Sequence, residues 1–328
     1  MNQKLQQIFQ SYLLGKVQSI SKIENIDLVL EQQKKTTIMA HLPLEYLITI
    51  KQLRNINKLA LAALFHDKIP EAKQAYATIN KIIRYSTLNY ETSLIIKDEF
   101  SASKGYLNYR QGNYESARAN IQIALESCMA LINQYNYGFL QARSIHLACN
   151  IVKVEACSGN KEKAMKIACY LISNIEGNCD NSLYKDIDLL KPVQHLSFKN
   201  ESFLLTQVFE EVAKLFASCE RSKSNKLVDL ATNLLGERNL SSNEQFYREH
   251  TWLENKKVLA EGKTVELLEK ASEFLADGRG SCKLLWHATV LDVLKISQNI
   301  DSEISKKLQR QITEDFSKFK YLPGVLKV

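Results

Sequence analysis

Residue types able to do chemistry are sparse in this chain, and the first pair with usable spacing is His146 and Cys149. Three residues apart on a helix, an imidazole and a thiolate share one face and can both ligate a metal ion. No second pair at ligand spacing accompanies them and no C-x-x-C occurs, so both are read as packing residues and no metal is expected. The stretch EGKT, Glu261 to Thr264, ends as a phosphate-binding loop ends. The glycine such a loop needs five places before Gly262 is instead Lys257, and no strand leads in, so EGKT is read as a turn in which Gly262 stops one helix and Thr264 caps the next. DGRGS, Asp277 to Ser281, is read in the same way. The six histidines, His41, His66, His146, His195, His250 and His287, fall in separate predicted elements, and no H-E-x-x-H, G-x-S-x-G or kinase signature is present. No catalytic residue and no cofactor are expected.

The elements that must position any site are helices. With 11 glycines and 4 prolines in 328 residues, breakers are few, and the abundant Leu, Lys, Ala, Glu and Gln favour long helices joined by short turns. An all-α fold is expected. Seven cysteines, Cys128, Cys149, Cys157, Cys169, Cys179, Cys219 and Cys282, are odd in number and widely spread, which argues against a disulfide framework and for reduced core residues. The stretch MNQKLQQIFQSYLLGKVQ alternates polar and apolar residues at helical spacing and lacks the apolar core of a secretory signal. The most apolar run, LALAALF (Leu59 to Phe65), is far short of the roughly 20 residues that span a membrane. A cytoplasmic protein with no membrane partner is expected. The net charge of +7 is uneven: residues 1–160 hold 18 Lys+Arg against 12 Asp+Glu, and the rest hold 25 against 24. The excess is scattered, without a dense basic cluster interleaved with aromatics, which argues against nucleic acid as a partner.

Periodicity predicts a helix over 5–18 and a shorter apolar segment over 23–30. Pro43 opens a helical run through LEYLITIKQLRNINKLALAALF; this run stops at HDKIPEA, where Asp67 is expected to cap and Pro70 to open the next helix. Two stretches, GNYESA and GNKEKA, share the pattern G-N-x-E-x-A at a separation of 47 residues. Each is read as a turn between antiparallel helices. Gly112 and Gly159 stop the first helix, Asn113 and Asn160 cap the second, and Ala117 and Ala164 let the two lie close. The segment from Asn178 to Asn200 breaks the rhythm. The resulting organisation is an N-terminal helical segment or bundle over 1–50, helical repeats over 51–177, an irregular linker over 178–200, and degenerate helical repeats over 201–328 that end in capping helices.

Gly105, Gly112, Tyr114, Ala117, Ile121 and Ala124 resemble the tetratricopeptide repeat in register. A second copy keeps Gly159, Ala164, Ala168 and Leu171 but has Val152 and Lys161 at the early glycine and the tyrosine; a weaker upstream copy has Ala60, Asp67, Ala72, Tyr76 and Ile79. The turns recur after 45 and 47 residues, beyond the family's usual 34 or so, so longer helices or linkers are expected. The resemblance implies antiparallel helix hairpins stacked as a right-handed superhelix, an α-solenoid, with a concave groove lined by the first helix of each pair. Carried over residue by residue, the groove positions are Glu99, Ala102, Tyr106, Tyr109 and Arg110 on the best copy. On the next copy they are His146, Cys149, Lys153, Ala156 and Cys157, and on the weak copy Arg54 and Asn57.

The function this implies is a noncatalytic scaffold that binds a protein or peptide, extended or acidic, with Arg54, Tyr106, Tyr109, Arg110, His146 and Lys153 as its binding residues. The lysine-and-asparagine clamp by which some family members hold a terminal carboxylate is not reproduced. An alternative is a regulatory receptor similar to the intracellular peptide-sensing repeat proteins of bacteria. A different class, an enzyme or enzyme accessory subunit built on a helical scaffold, is separated from these by whether a closed pocket with convergent acids, histidines or cysteines exists.

Overall fold

The computed structural model describes residues 1–17, 36, 38, 41–178, 198–236, 246–319 and 322–327, and among them every regular element is a helix. In chain order the α-helices are α1 (Asn2–Val17), α2 (Leu44–Phe65), α3 (Ile69–Tyr85), α4 (Tyr90–Arg110), α5 (Tyr114–Tyr135), α6 (Gln141–Cys157) and α7 (Lys161–Ile175). They continue with α8 (Phe198–Ala217), α9 (Arg221–Leu235), α10 (Tyr247–Ala260), α11 (Thr264–Ala276), α12 (Lys283–Ser297) and α13 (Glu303–Phe316). The expected all-α class is observed. The segment predicted over 23–30, Cys179, and nearly all of the expected linker, with His195, lie outside the described residues.

The described residues fall into two compact units. One is drawn from 25–164 and carries α2 to α6; the other is drawn from 1–24, 165–184 and 197–328 and carries α1, most of α7, and α8 to α13.

One turn is used five times among the described residues. Asp67, Gly112, Gly159, Gly177 and Gly262 all have left-handed backbone, with φ of 59°, 74°, 91°, 71° and 77°. At each, the next N–H donates to the carbonyl five residues back: Lys68 to Ala63, Asn113 to Asn108, Asn160 to Glu155, Asn178 to Ser173 and Lys263 to Val258. This closes the helix by satisfying a carbonyl that has no intrahelical partner, and glycine suits the position because it has no Cβ to strain a positive φ. Gly112 and Gly159 thus stop helices as expected, and EGKT is such a turn. Three details differ from expectation. Asn113 makes no side-chain cap; its backbone N–H belongs to the preceding helix's closure. Asp67 is itself the left-handed residue and so ends α2 without opening α3. Thr264 lies inside α11, and the cap position is Lys263.

The close approach inside a hairpin is real at α4 and α5. A Cβ on Gly105 would come within 2.8 Å of the Ile121 side chain and 3.2 Å of the Ala117 carbonyl. Ala117, Ile121 and Ala124 on α5 are buried against it.

In the other unit, α1 packs against α11 and α13. Its apolar stripe of Leu5, Ile8, Phe9 and Tyr12 is buried, Tyr12 stacks on Trp286 with ring centroids 5.5 Å apart, and the Tyr12 hydroxyl donates to Asp315 at 2.8 Å. Lys16 pairs with the same carboxylate at 2.6 Å. The helix read from sequence as part of an N-terminal segment therefore shares a core with the C-terminal helices.

Candidate functional site

The unit from 25–164 holds all six residues singled out for binding. Its alternate helices α2, α4 and α6 meet through contacts whose sequence separation is close to the spacing of the turns. Arg54 of α2 donates to Glu99 of α4 (separation 45, 2.8 Å), and Asn57 donates to Ser103 (46, 3.0 Å). Arg143 of α6 donates to Asp98 of α4 (45, 2.7 Å), and Tyr137, just ahead of α6, donates to Glu91 (46, 2.8 Å). Residues 45 or 46 apart on α2 and α4, and on α4 and the start of α6, are thus brought side by side. The repeat seen in the turns is also a repeat in the contacts.

On this frame the aromatic residues form a row. Phe65 at the end of α2, Tyr106 and Tyr109 on α4, and Tyr114 at the start of α5 are linked ring to ring with centroids 6.0, 6.4 and 6.0 Å apart. Tyr106 and Tyr109 lie nearly parallel, at 17°. The Lys153 ammonium of α6 stands 4.9 Å from the Tyr109 ring centre, in cation–π range. The Tyr109 hydroxyl meets the exposed Cys157 thiol at 3.4 Å.

Arg110 is held from within the unit. One guanidinium nitrogen donates to the Leu64 carbonyl at 2.7 Å and to the Tyr106 hydroxyl at 3.2 Å, and the other pairs with Asp67. It therefore gives the Leu64 carbonyl at the end of α2 a second donor beside the Asp67 N–H, and positions Tyr106 in the row. Arg54 is likewise neutralised by Glu99 at 2.5 Å. The structure brings Tyr106, Tyr109, Arg110 and Lys153 together. Arg54 lies further along the α2 and α4 contact, and His146 is exposed seven residues before Lys153, on the same stripe of α6.

Cys149, a groove position by resemblance, is buried at 3% exposure, so it belongs to the core while His146 faces out. Sequence reading missed Phe65 as a site residue. It closes the apolar run LALAALF and reads as core, yet it is 69% exposed. The signal that could have found it is position: fourteen residues after Lys51 and eleven after Arg54, it falls on their stripe of α2.

Among the described residues no group of three or more His, Cys, Asp and Glu could hold a metal ion, and no helix is long and apolar enough to cross a membrane. Glu249 accepts from the Thr206 hydroxyl at 2.5 Å and the Cys282 thiol at 3.3 Å. Burial, with Glu249 adding to it, pushes the Cys282 thiol up to about 12, so it is a hydrogen-bond donor and not a thiolate nucleophile.

Glu210 on α8 gives a pH prediction. Burial, reinforced by Glu211, pushes its carboxyl up to about 7 from an ordinary value of 4.5. The folded state holds this proton more tightly than the unfolded chain does, so the contribution to stability is full below about pH 4.5 and falls as pH rises through about 7. Glu210→Gln should therefore stabilise the unit by about 2 kcal/mol at pH 8 and change little at pH 4.5. Urea unfolding at the two pH values checks this. Equal effects at both would show that Glu210 ionises freely in the fold.

No family model, no curated protein and no solved structure matches the chain.

Proposed function

We propose that this chain is a noncatalytic scaffold that binds a protein or peptide segment through the face carried by α2, α4 and α6, in the manner of a tetratricopeptide-like α-solenoid. The observation that carries the reading is the row Phe65, Tyr106, Tyr109 and Tyr114 with Lys153 against it. Amphipathic aromatics beside cations give large contact area with directional donors, the composition of binding hot spots. Described cysteines free of disulfides suit a reducing compartment such as the cytoplasm.

The test is selection of binders from a random dodecapeptide display library on the whole chain, followed by affinity measurement on variants. Phe65→Ala and Tyr109→Ala should each weaken the selected peptides by about 10- to 30-fold, as hot-spot truncations of about 2 kcal/mol do. Leu59→Ala, an exposed site elsewhere on α2, should leave them unchanged. Peptides that bind both aromatic variants as tightly as the parent would remove the reading. Arg110→Ala is not a clean probe, because its guanidinium also secures the end of α2.

A further inference from the structure

The charge left over on this face points to the chemistry of its partner. Lys51, Arg54, Lys58 and Phe65 fall at i, i+3, i+7 and i+14 on α2, one stripe of a helix with 3.6 residues per turn. Two members of the stripe fix where it faces: Arg54 reaches Glu99 of α4, and Phe65 meets Tyr106. Lys51 and Lys58 therefore border the same face, roughly 10 Å apart along the helix. Both are exposed, and neither belongs to any ion pair among the described residues. On the opposite flank Lys153 lies over Tyr109 and belongs to no ion pair among the described residues. Among the described residues, Glu99 and Asp67 reach this face and are already paired, with Arg54 and Arg110.

Among the described residues three ammonium groups thus lie along this face outside any ion pair, Lys153 on the aromatic row and Lys58 and Lys51 roughly 10 and 20 Å from Phe65 along α2. Resting on the binding face proposed above, we infer that the segment recognised there is an acidic peptide, its Asp or Glu side chains meeting Lys51, Lys58 and Lys153 while an apolar residue lies on the tyrosines. A peptide fits better than a nucleic acid. Stacking of bases needs open ring faces, whereas Tyr109 has Tyr106 near-parallel beside it and Lys153 over it, and the Tyr106 hydroxyl is held by Arg110. The Arg110 fork, the group best shaped for phosphate, is occupied by Leu64 and Asp67.

The same dodecapeptide library provides the test. Selected sequences should be enriched in Asp and Glu, and their affinity should fall as salt rises. Lys51→Gln with Lys58→Gln should weaken them at least ~5-fold, whereas Lys73→Gln with Lys81→Gln, exposed lysines on α3, should not. Binders that are neutral or basic, yet lost on Tyr109→Ala, would overturn the acidic partner while leaving the binding face intact. Binders indifferent to both the lysines and the aromatics would remove both. A thymidine oligonucleotide that binds more tightly than the acidic peptides, through the same lysines, would replace the peptide with nucleic acid.

Discussion

Gly15→Ala should destabilise the unit containing α1 by about 3 kcal/mol, read as a fall in the midpoint of urea unfolding. Two effects oppose each other. Alanine is the better helix former, worth about 1 kcal/mol in its favour at an interior position. Against that, a Cβ at Gly15 would overlap the Leu275 carbonyl oxygen of α11 and crowd the Gly278 backbone at 3.2 Å. The neighbours are backbone, so no side chain can swing aside. To make room α1 must move off α11, and that disturbs the contacts bordering the seam: Ser11 with Ser272 at 2.9 Å, Lys4 with Glu269 at 2.6 Å, and Tyr12 on Trp286. The clash outweighs the propensity. A variant as stable as the parent, or more so, would mean that α1 does not pack there.

Arg143→Met should cost about 3 kcal/mol, and the double variant with Asp98→Asn should recover at least half of it. Asp98 is fully buried on α4, and Arg143 grips it through Nε at 2.7 and 2.8 Å while also donating to its backbone carbonyl at 3.0 Å. Taking away one member leaves a carboxylate buried without the guanidinium that compensates its desolvation, which is why broken buried pairs are expensive, at about 3 to 5 kcal/mol. The low end applies because Arg143 keeps 27% of its side chain exposed. Neutralising Asp98 as well removes the charge that made the loss large. A double variant no more stable than the single one would show that packing of the Arg143 stem, and not its charge, joins α4 to α6.

The turns were legible because their requirement is local. A left-handed residue after a helix selects glycine from its neighbours' geometry alone, so Gly112 and Gly159 could be read without knowing what surrounds them. Asp67 occupies the same conformation, but its residue type also suits a helix start, and sequence cannot say which use prevails. Charged side chains are legible as charges and not as pairs. That Arg54 meets Glu99 and Arg110 meets Asp67 is decided by packing across more than forty residues. Tyr106 and Tyr109 were singled out because the repeat pattern marks their positions, whereas Phe65 sits at the end of an apolar run in which every residue reads as core. The docking of α1 on α11 leaves no periodic trace at all, since its apolar stripe would suit any partner helix.

The placement of α1 sets a timetable for synthesis. Lys16 pairs with Asp315, 299 residues later in the chain. At the usual ~5–20 residues per second of a ribosome, α1 emerges roughly 15 to 60 s before that partner exists. During that interval the unit from 25–164, whose linking contacts span fewer than fifty residues, can close on itself behind it. Leu5, Ile8, Phe9 and Tyr12 meanwhile wait in water without a surface to cover them. A chain cut short before α13 keeps α11 and Trp286 beneath α1 and loses the Asp315 carboxylate that Tyr12 and Lys16 share, so the last helix locks a docking that the helices before it begin.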